Sequence, residues 1–338
     1  MNLLLASERQ LRPEPEWASL GIRHLLEELL PGPINWVLYD GNPDLCYPNP
    51  PKVHRVHLRS NSFRHQSLLP FDAVVLGPSS TFLGHETEEL YGALAKFAIP
   101  LVGLGLQITR FDQSLSANES TCFARETTRL AVQDEASAAW FRKVGPKPAV
   151  LPCPSLFGAA PGTERDEMPS KPRVAVWLEE GIPGESNEET VSQLCEWITD
   201  HPALVDETWS PVIDDFMRFS TMFPRLSRYS YDSAAYLAWS READIVVTTR
   251  RHNATLANSF HRPVIYVGNC AKGLEHLPYV YPTRITDLAD QIGKLAASPG
   301  LPKAIRAWKA QVRSAYRQHF SLVSFEAATL PRGEENWA

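Results

Sequence analysis

The chain has 338 residues, which at ~150 residues per domain points to two domains, and its 43% hydrophobic and 21% charged residues exclude a mainly disordered polymer. Lys and Arg total 33 against 39 Asp and Glu, a net charge of −6, so the molecule as a whole is no nucleic-acid binder, and 18 glycines without a Gly-X-Y period exclude collagen. Proline, at 28, is the unusual count, and it favours many short connections over long helical rods.

From the N-terminus, Leu3 to Ala6 is a short apolar run, followed by a Pro-containing loop to Trp17. A helical pattern from Leu20 to Leu30 stops at Pro31-Gly32-Pro33, and a strand follows from Ile34 to Tyr39. Residues 41–52 read as loop, Val53 to Leu58 as a strand, and Phe71 to Leu76 as a buried strand ending in Gly77-Pro78-Ser79-Ser80. Glu86 to Phe97 is a helix and Ile99 to Leu104 a buried strand; helices are expected over Glu119 to Leu130 and Asp134 to Val144, ending at Gly145, then a short strand over Ala149 to Leu151. The polar residues 158–172 read as a linker. A second series follows: a strand from Arg173 to Leu178, helices over Glu188 to Thr199, Asp214 to Thr221 and Ser233 to Arg241, a strand from Asp244 to Thr248, a helix from His252 to Phe260, and a strand from Val264 to Val267. Helices over Ile285 to Ala296 and Pro302 to His319 close the series.

Strands alternating with helices imply crossover units and mostly parallel sheets. The expected fold is therefore α/β, with two Rossmann-like domains facing a cleft: one over 1–157, the other over 173–300. A helix within 301–324 is placed to pack back across the domains, and 325–338 form a loose tail.

The opening apolar run is too short for a signal peptide, with charge following at Glu8 and Arg9, and no stretch approaches the ~18–20 apolar residues of a membrane span. Cys46, Cys122, Cys153, Cys195 and Cys270 are scattered, odd in number and form no CxxC pair, which fits a reducing compartment and carries no zinc motif. A cytoplasmic protein is the expectation. Asn118-Glu119-Ser120, a glycosylation sequon without a secretion signal, reads as chance.

The most informative segment runs from Ala243 to Lys272. A buried strand (Ile245, Val246, Val247) delivers Thr248, Thr249, Arg250, Arg251 and His252 to its carboxyl end, where a helix begins. Ligands of open α/β sheets bind at such strand ends, and a helix N-terminus offers free N–H groups and partial positive charge to an anion. Arg matches phosphate and carboxylate bidentately, and an imidazole exchanges protons near neutral pH. The bland alternative has Arg250 and Arg251 solvated or paired with carboxylates, and His252 merely opening a helix.

This segment resembles the polysaccharide pyruvyl transferase family, whose members carry A-D-hydrophobic-V-hydrophobic-x-x-R-L-H, then a small-residue helix, P-V-I and S-Y-D-x-K. Arg250 and His252 match the R and H, Pro263-Val264-Ile265 the P-V-I, and Lys272 the K. Arg251 replaces the usual Leu, and Gly268, Asn269 and Cys270 stand where S-Y-D is common. Weaker likenesses are Phe71 to Thr81, with Pro78 and Ser79 in place of two glycines, Pro100 to Gln107, and Ala131 to Ser137, with Gln133 in place of Arg and Pro152-Cys153-Pro154 in place of D-P.

The resemblance implies a GT-B-like fold and transfer of a pyruvyl group from phosphoenolpyruvate to a pair of sugar or glycan hydroxyls, forming a ketal. It implies no cofactor and no metal, with phosphoenolpyruvate as co-substrate. Arg250, Arg251 and Lys272 would hold the anionic donor and His252 would handle protons, while Gly77, Ser79, Ser80, Asp134 and Asn269 are candidates for the acceptor side or the cleft lining. The partners would be a small-molecule donor and a glycan acceptor, with no nucleic acid and no integral membrane segment; a lipid-linked acceptor would be met by peripheral contact. No feature sets an oligomeric state.

Two rival readings stand beside this one: a GT-B glycosyltransferase whose nucleotide-sugar diphosphate sits at the same corner, and a non-catalytic glycan-binding paralogue. Other features carry blander expectations. Gly77 to Thr81 is equally a turn with capping hydroxyls, Asp134 and Glu135 stabilise a helix dipole, and Val102-Gly103-Leu104-Gly105 is too little for a dinucleotide site. The locally basic stretch 52–65 reads as an edge strand, with His54 and His57 poorly spaced for a metal. Asp214-Asp215 and Glu179-Glu180 read as solvated or capping, and Cys153 and Cys270 as inert thiols.

Overall fold

The computed structural model describes residues 1–7, 14–40, 53–57, 71–78, 88–108, 114–145, 147–160, 162, 166–179, 188–230, 232–268 and 274–320. Ser79, Ser80, Asn269, Cys270 and Lys272, the helix start at Glu86 and the tail 325–338 lie outside the described residues, as does all of 52–65 except 53–57. The chain divides into two units. One comprises Met1–Gln10, Leu25–Leu151 and Arg313–Ala338, the other Leu11–His24 and Pro152–Val312.

In chain order the first elements are β1 (Asn2–Ser7), α1 (Glu14–Leu29), β2 (Asn35–Asp40), β3 (Val53–His57), β4 (Ala73–Leu76), α2 (Glu88–Phe97), β5 (Leu101–Leu106), α3 (Ala117–Phe123), β6 (Arg129–Val132), α4 (Glu135–Phe141) and β7 (Ala149–Val150). The strands make one parallel sheet in the order β3-β2-β1-β4-β5-β6-β7 among the described residues. Leu4, Ala6, Val74 and Leu76 share one buried cluster with Leu90, Leu94, Phe123 and Phe141 of the helices. Leu3, Leu5, Ala73 and Val75, the alternate residues, are buried as well. Burial on both faces is why these strands read as unbroken apolar runs.

The second unit continues with β8 (Val174–Trp177), α5 (Glu188–Asp200), β9 (Glu207–Trp209), α6 (Ile213–Met222), β10 (Ser227–Arg228), α7 (Ser233–Glu242), β11 (Ile245–Thr248), α8 (Arg251–Ser259), β12 (Val264–Tyr266), β13 (Val280–Pro282) and α9 (Leu288–Ala296), followed by α10 (Leu301–His319), whose residues from Arg313 onward belong to the first unit. The second sheet is also parallel, ordered β10-β9-β8-β11-β12-β13. Val174, Val176, Ile245 and Val247 pack with α5 and α9 on one face. Ala175, Trp177 and Val246 pack with Tyr236, Leu256 and Trp17 of α7, α8 and α1 on the other. Each fully buried Val or Ile contributes about 1.5–3 kcal/mol before chain entropy is counted. Both sheets wind outward from a central pair, β1/β4 in one and β8/β11 in the other. The carboxyl ends of such a pair form the crevice where doubly wound sheets bind ligands.

Several expectations need correction. The helix expected over Glu119 to Leu130 is α3 followed by β6. The Thr128 hydroxyl donates to the Cys122 carbonyl at 2.6 Å and closes the helix end, and the β-branched Thr127 and Thr128 lead into the strand. The loop expected up to Trp17 is helical from Glu14, because Pro15 falls in the first turn, where a missing N–H costs nothing. β9, β10 and β13 were not expected at all. They span two or three residues each, too short for a period, and β9 carries the buried Glu207, held by Arg173 at 3.2 Å and Arg228 at 2.9 Å. Among the described residues no helix is long and apolar enough to cross a membrane.

Candidate functional site

The β8/β11 pair of the second sheet carries the basic corner. Register aligns Trp177 of β8 with Thr248 of β11, so the residues two positions beyond them, Glu179 and Arg250, leave the sheet side by side. Arg250 Nη2 stands 3.3 Å from Glu179 Oε1; the carboxylate is fully buried and the arginine side chain 15% exposed. The pair is clamped from both strands: the Arg250 N–H donates to Thr248 Oγ1 at 3.1 Å, and Thr249 Oγ1 donates to the Glu179 carbonyl at 3.3 Å. Glu179 is therefore a buried ion-pair partner, not the solvated or capping residue expected from the sequence.

Arg250 is the N-cap of α8, and its side chain makes no capping hydrogen bond. Elsewhere Ser116 caps α3 in a capping box, Asp134 caps α4 through the Ser137 N–H at 2.7 Å, and Asp232 caps α7 through the Ala234 N–H at 2.9 Å. An arginine at the cap and another at the first helical position set two cations against the positive end of the helix, a locally unfavourable choice. Two guanidinium groups, one of them paired with Glu179, therefore stand at a helix terminus that itself carries about half a positive charge. Conflicts of this kind between local preference and fold gather at functional sites.

His252 occupies the second position of α8 and is half-buried. Burial, reinforced by the Arg251 and Arg250 guanidinium groups, lowers its pKa from 6.5 to about 3. The expectation of an imidazole exchanging protons freely near neutral pH is thereby narrowed. In the empty site it is neutral, and the same causes make it a weak base. Cys153, in front of the 3-10 turn Pro154–Phe157, has its pKa raised by burial, with Ser155 and the Arg251 charge pulling the other way. Its thiol stays protonated, consistent with an inert group.

Asn253 completes the first turn of α8. Sequence reasoning passed over it. It is fully buried, and neither its amide oxygen nor its amide nitrogen has a hydrogen-bond partner. The only signal in the sequence is an amide one residue after His252, in a helix that also carries a second amide at Asn258.

The remaining candidates lie in the first unit. Gly77 is buried directly after β4, its N–H donating to the Ala6 carbonyl at 2.9 Å, at the carboxyl edge of the β1/β4 pair. Asp134 stands at the carboxyl end of β6, engaged as the cap of α4. Gln133 turns inward, Nε2 donating to the Gly105 carbonyl at 2.7 Å. The Gly-x-Gly of β5 serves packing. A side chain at Gly103 would meet Leu106 and Leu130 at 2.5 and 2.8 Å, and Gly105 adopts φ +68° where the β5–β6 register shifts. Among the described residues no group of three or more His, Cys, Asp or Glu side chains is arranged to hold a metal ion.

No family model matches the chain, and no curated protein matches it in sequence. Solved structures match it in fold. A putative UDP-N-acetylglucosamine 2-epimerase from Listeria monocytogenes aligns with a TM-score of 0.59 at 10% identity, over 95% of this chain and 96% of that one. S. aureus MnaA, solved with UDP, aligns at 0.57 and 9% identity over 98% of both chains. E. coli ADP-heptose lipopolysaccharide heptosyltransferase II aligns at 0.53 and 10% identity over 88% of this chain and 99% of that one. The chain thus has the fold of these enzymes, two parallel-sheet α/β domains of the GT-B type.

Proposed function

We propose that this protein is a glycan-modifying transferase of the pyruvyl type, moving a pyruvyl group from phosphoenolpyruvate to a pair of sugar hydroxyls. The observation that carries this reading is the N-terminus of α8, which carries Arg250, Arg251 and His252 in place of a capping side chain at the switch point of its sheet. Such a seat suits a small, highly charged donor, and the residues from Ala243 to Pro263 follow the pyruvyl transferase pattern around it.

In this reading Arg251 and the N–H groups of the first turn hold the donor's oxyanions. Arg250, fixed by Glu179, presents the rest of its guanidinium edge. One acceptor hydroxyl adds to C2 of the enolpyruvyl group and loses its proton to His252; the imidazolium then delivers that proton to C3, turning the methylene into a methyl. The second hydroxyl displaces phosphate from C2, its proton leaving with the phosphate, and the cyclic ketal results. The empty site holds His252 well below its usual pKa, and the negative charge of a bound donor would raise it toward the range a general base needs. Lys272 is assigned to the donor and Ser79, Ser80, Gly77, Asp134 and Asn269 to the acceptor side on the sequence pattern. No cofactor enters the scheme, and a cytoplasmic site of action, where phosphoenolpyruvate is made, fits it.

Transfer of label from phosphoenolpyruvate to a glycan acceptor tests the assignment. His252→Ala and Arg250→Ala are expected to abolish transfer, and full activity in both variants would refute it. The fold neighbours solved with UDP, or named for sugar nucleotides, support a second reading, a glycosyltransferase seating a donor diphosphate on α8. Thermal shifts with phosphoenolpyruvate against UDP, GDP and CDP separate the two.

A further inference from the structure

Asn253 is the third residue of α8 and is wholly enclosed, yet both polar atoms of its side chain lack a partner. An unpaired buried amide is expensive, and native interiors tolerate one where a ligand, ion or water completes it. Two other buried amides among the described residues keep at least one bond: Gln133 Nε2 donates to the Gly105 carbonyl and Asn258 Nδ2 to the Arg262 carbonyl at 2.7 Å, although Asn258 Oδ1 is itself unpartnered; Asn253 has none on either atom. Side chains on a helix lean toward its N-terminus, so Asn253 leans toward the first turn, whose N-cap residue Arg250 makes no side-chain capping bond. Its neighbours Arg251 and His252 both reach solvent.

We infer that Asn253 is a binding residue for the oxyanion that α8 seats, Nδ2 donating to a phosphate or carboxylate oxygen of the donor. This deepens the transferase reading and rests on it for the identity of the donor, though not for the seat itself. Asn253 is enclosed, so binding has to move a neighbouring side chain to admit the anion. In the empty protein the unpaired amide costs stability, and the bound anion recovers that cost.

This trade between stability and binding separates a ligand-reading Asn from a structural one. Asn253→Leu, nearly isosteric, removes the orphaned polar group. It is expected to raise the melting temperature of the ligand-free protein by about 2 °C or more and to weaken inorganic phosphate about tenfold or more. Asn253→Asp keeps the size but offers only a negative acceptor, and is expected to weaken phosphate further. Pyruvate is titrated in parallel, so that loss for phosphate alone, or for pyruvate alone, identifies which oxyanion the amide holds. A lowered melting temperature in Asn253→Leu, or unchanged affinity for both anions, overturns the inference. Asn253→Ala adds no bulk and is judged on affinity alone; unchanged affinity there overturns it whatever Leu does. Wild-type protein that binds phosphate but not phosphoenolpyruvate refutes the pyruvyl reading and leaves the role of Asn253 to be decided by the phosphate arm. Wild-type protein that binds neither phosphate nor pyruvate overturns the seat and the inference together.

Discussion

Glu179→Gln removes the charge of a side chain with no solvent exposure and leaves the Arg250 guanidinium, 15% exposed, without its carboxylate. At 3.3 Å the attraction within the pair is about 5 kcal/mol for an effective dielectric constant of about 20. Most of that offsets the desolvation of the two ions, so removing one partner hurts far more than removing both. Glu179→Gln is expected to cost about 3 kcal/mol, and Arg250→Met a similar amount, since it strands the buried carboxylate. The double variant is expected to cost less than either single change, and so at least about 3 kcal/mol less than their sum. Urea unfolding followed by tryptophan fluorescence reads this out. Six of the nine tryptophans (Trp17, Trp177, Trp197, Trp209, Trp239 and Trp308) belong to the second unit, so the signal reports mainly on the pair's own surroundings. A coupling below about 0.5 kcal/mol would refute the argument that Glu179 fixes Arg250.

Because the folded protein holds His252 neutral down to about pH 3 while the unfolded chain protonates it near 6.5, stability is complete above pH 6.5 and is lost as pH falls through that window. The expected slope is about 1.4 kcal/mol per pH unit, and His252→Gln should remove that part of the pH dependence of urea unfolding. Gly21→Ala would put a Cβ 1.9 Å from the Pro154 carbonyl oxygen, forcing α1 away from the turn that begins there. A loss of about 3 kcal/mol or more is expected in the same unfolding measurement, and an unchanged midpoint would contradict it. Ala98, just beyond α2, has φ 53°, so Ala98→Gly should relieve left-handed strain and stabilise the first unit by about 1 kcal/mol in a calorimetric scan. Lys309, buried with Nζ donating to the Ser259 carbonyl at 2.7 Å, holds the far end of α8. Lys309→Met should lower the melting temperature by removing a charge-assisted hydrogen bond worth about 1.5–3 kcal/mol.

The β11–α8–β12 corner was legible because Ile245, Val246 and Val247 form an unbroken apolar run, Pro263 marks the return, and basic residues sit between them. The doubly wound α/β class followed from the alternation of such runs with helical periods. What stayed hidden was long-range. Glu179 looks like half of a surface Glu pair until β8 is known to neighbour β11, because the register that sets it beside Arg250 joins positions about seventy residues apart. Asn253 carries no pattern; its meaning comes from being enclosed and unpaired, which only packing reveals. The merging of α3 and β6 into one expected helix shows the other limit. Glu126 and Arg129 keep a helical spacing of charges, while the Thr128 hydroxyl, spent on the Cys122 carbonyl, ends the helix.

The first turn of α8 is the proposed seat of an anionic donor. A crystal structure of the protein soaked with phosphoenolpyruvate tests it most directly. The prediction is density for phosphate and carboxylate over the N–H groups of Arg251, His252 and Asn253, with the His252 ring beside the enolpyruvyl carbon. Density bound elsewhere, or an empty α8 terminus at saturating phosphoenolpyruvate, would contradict it.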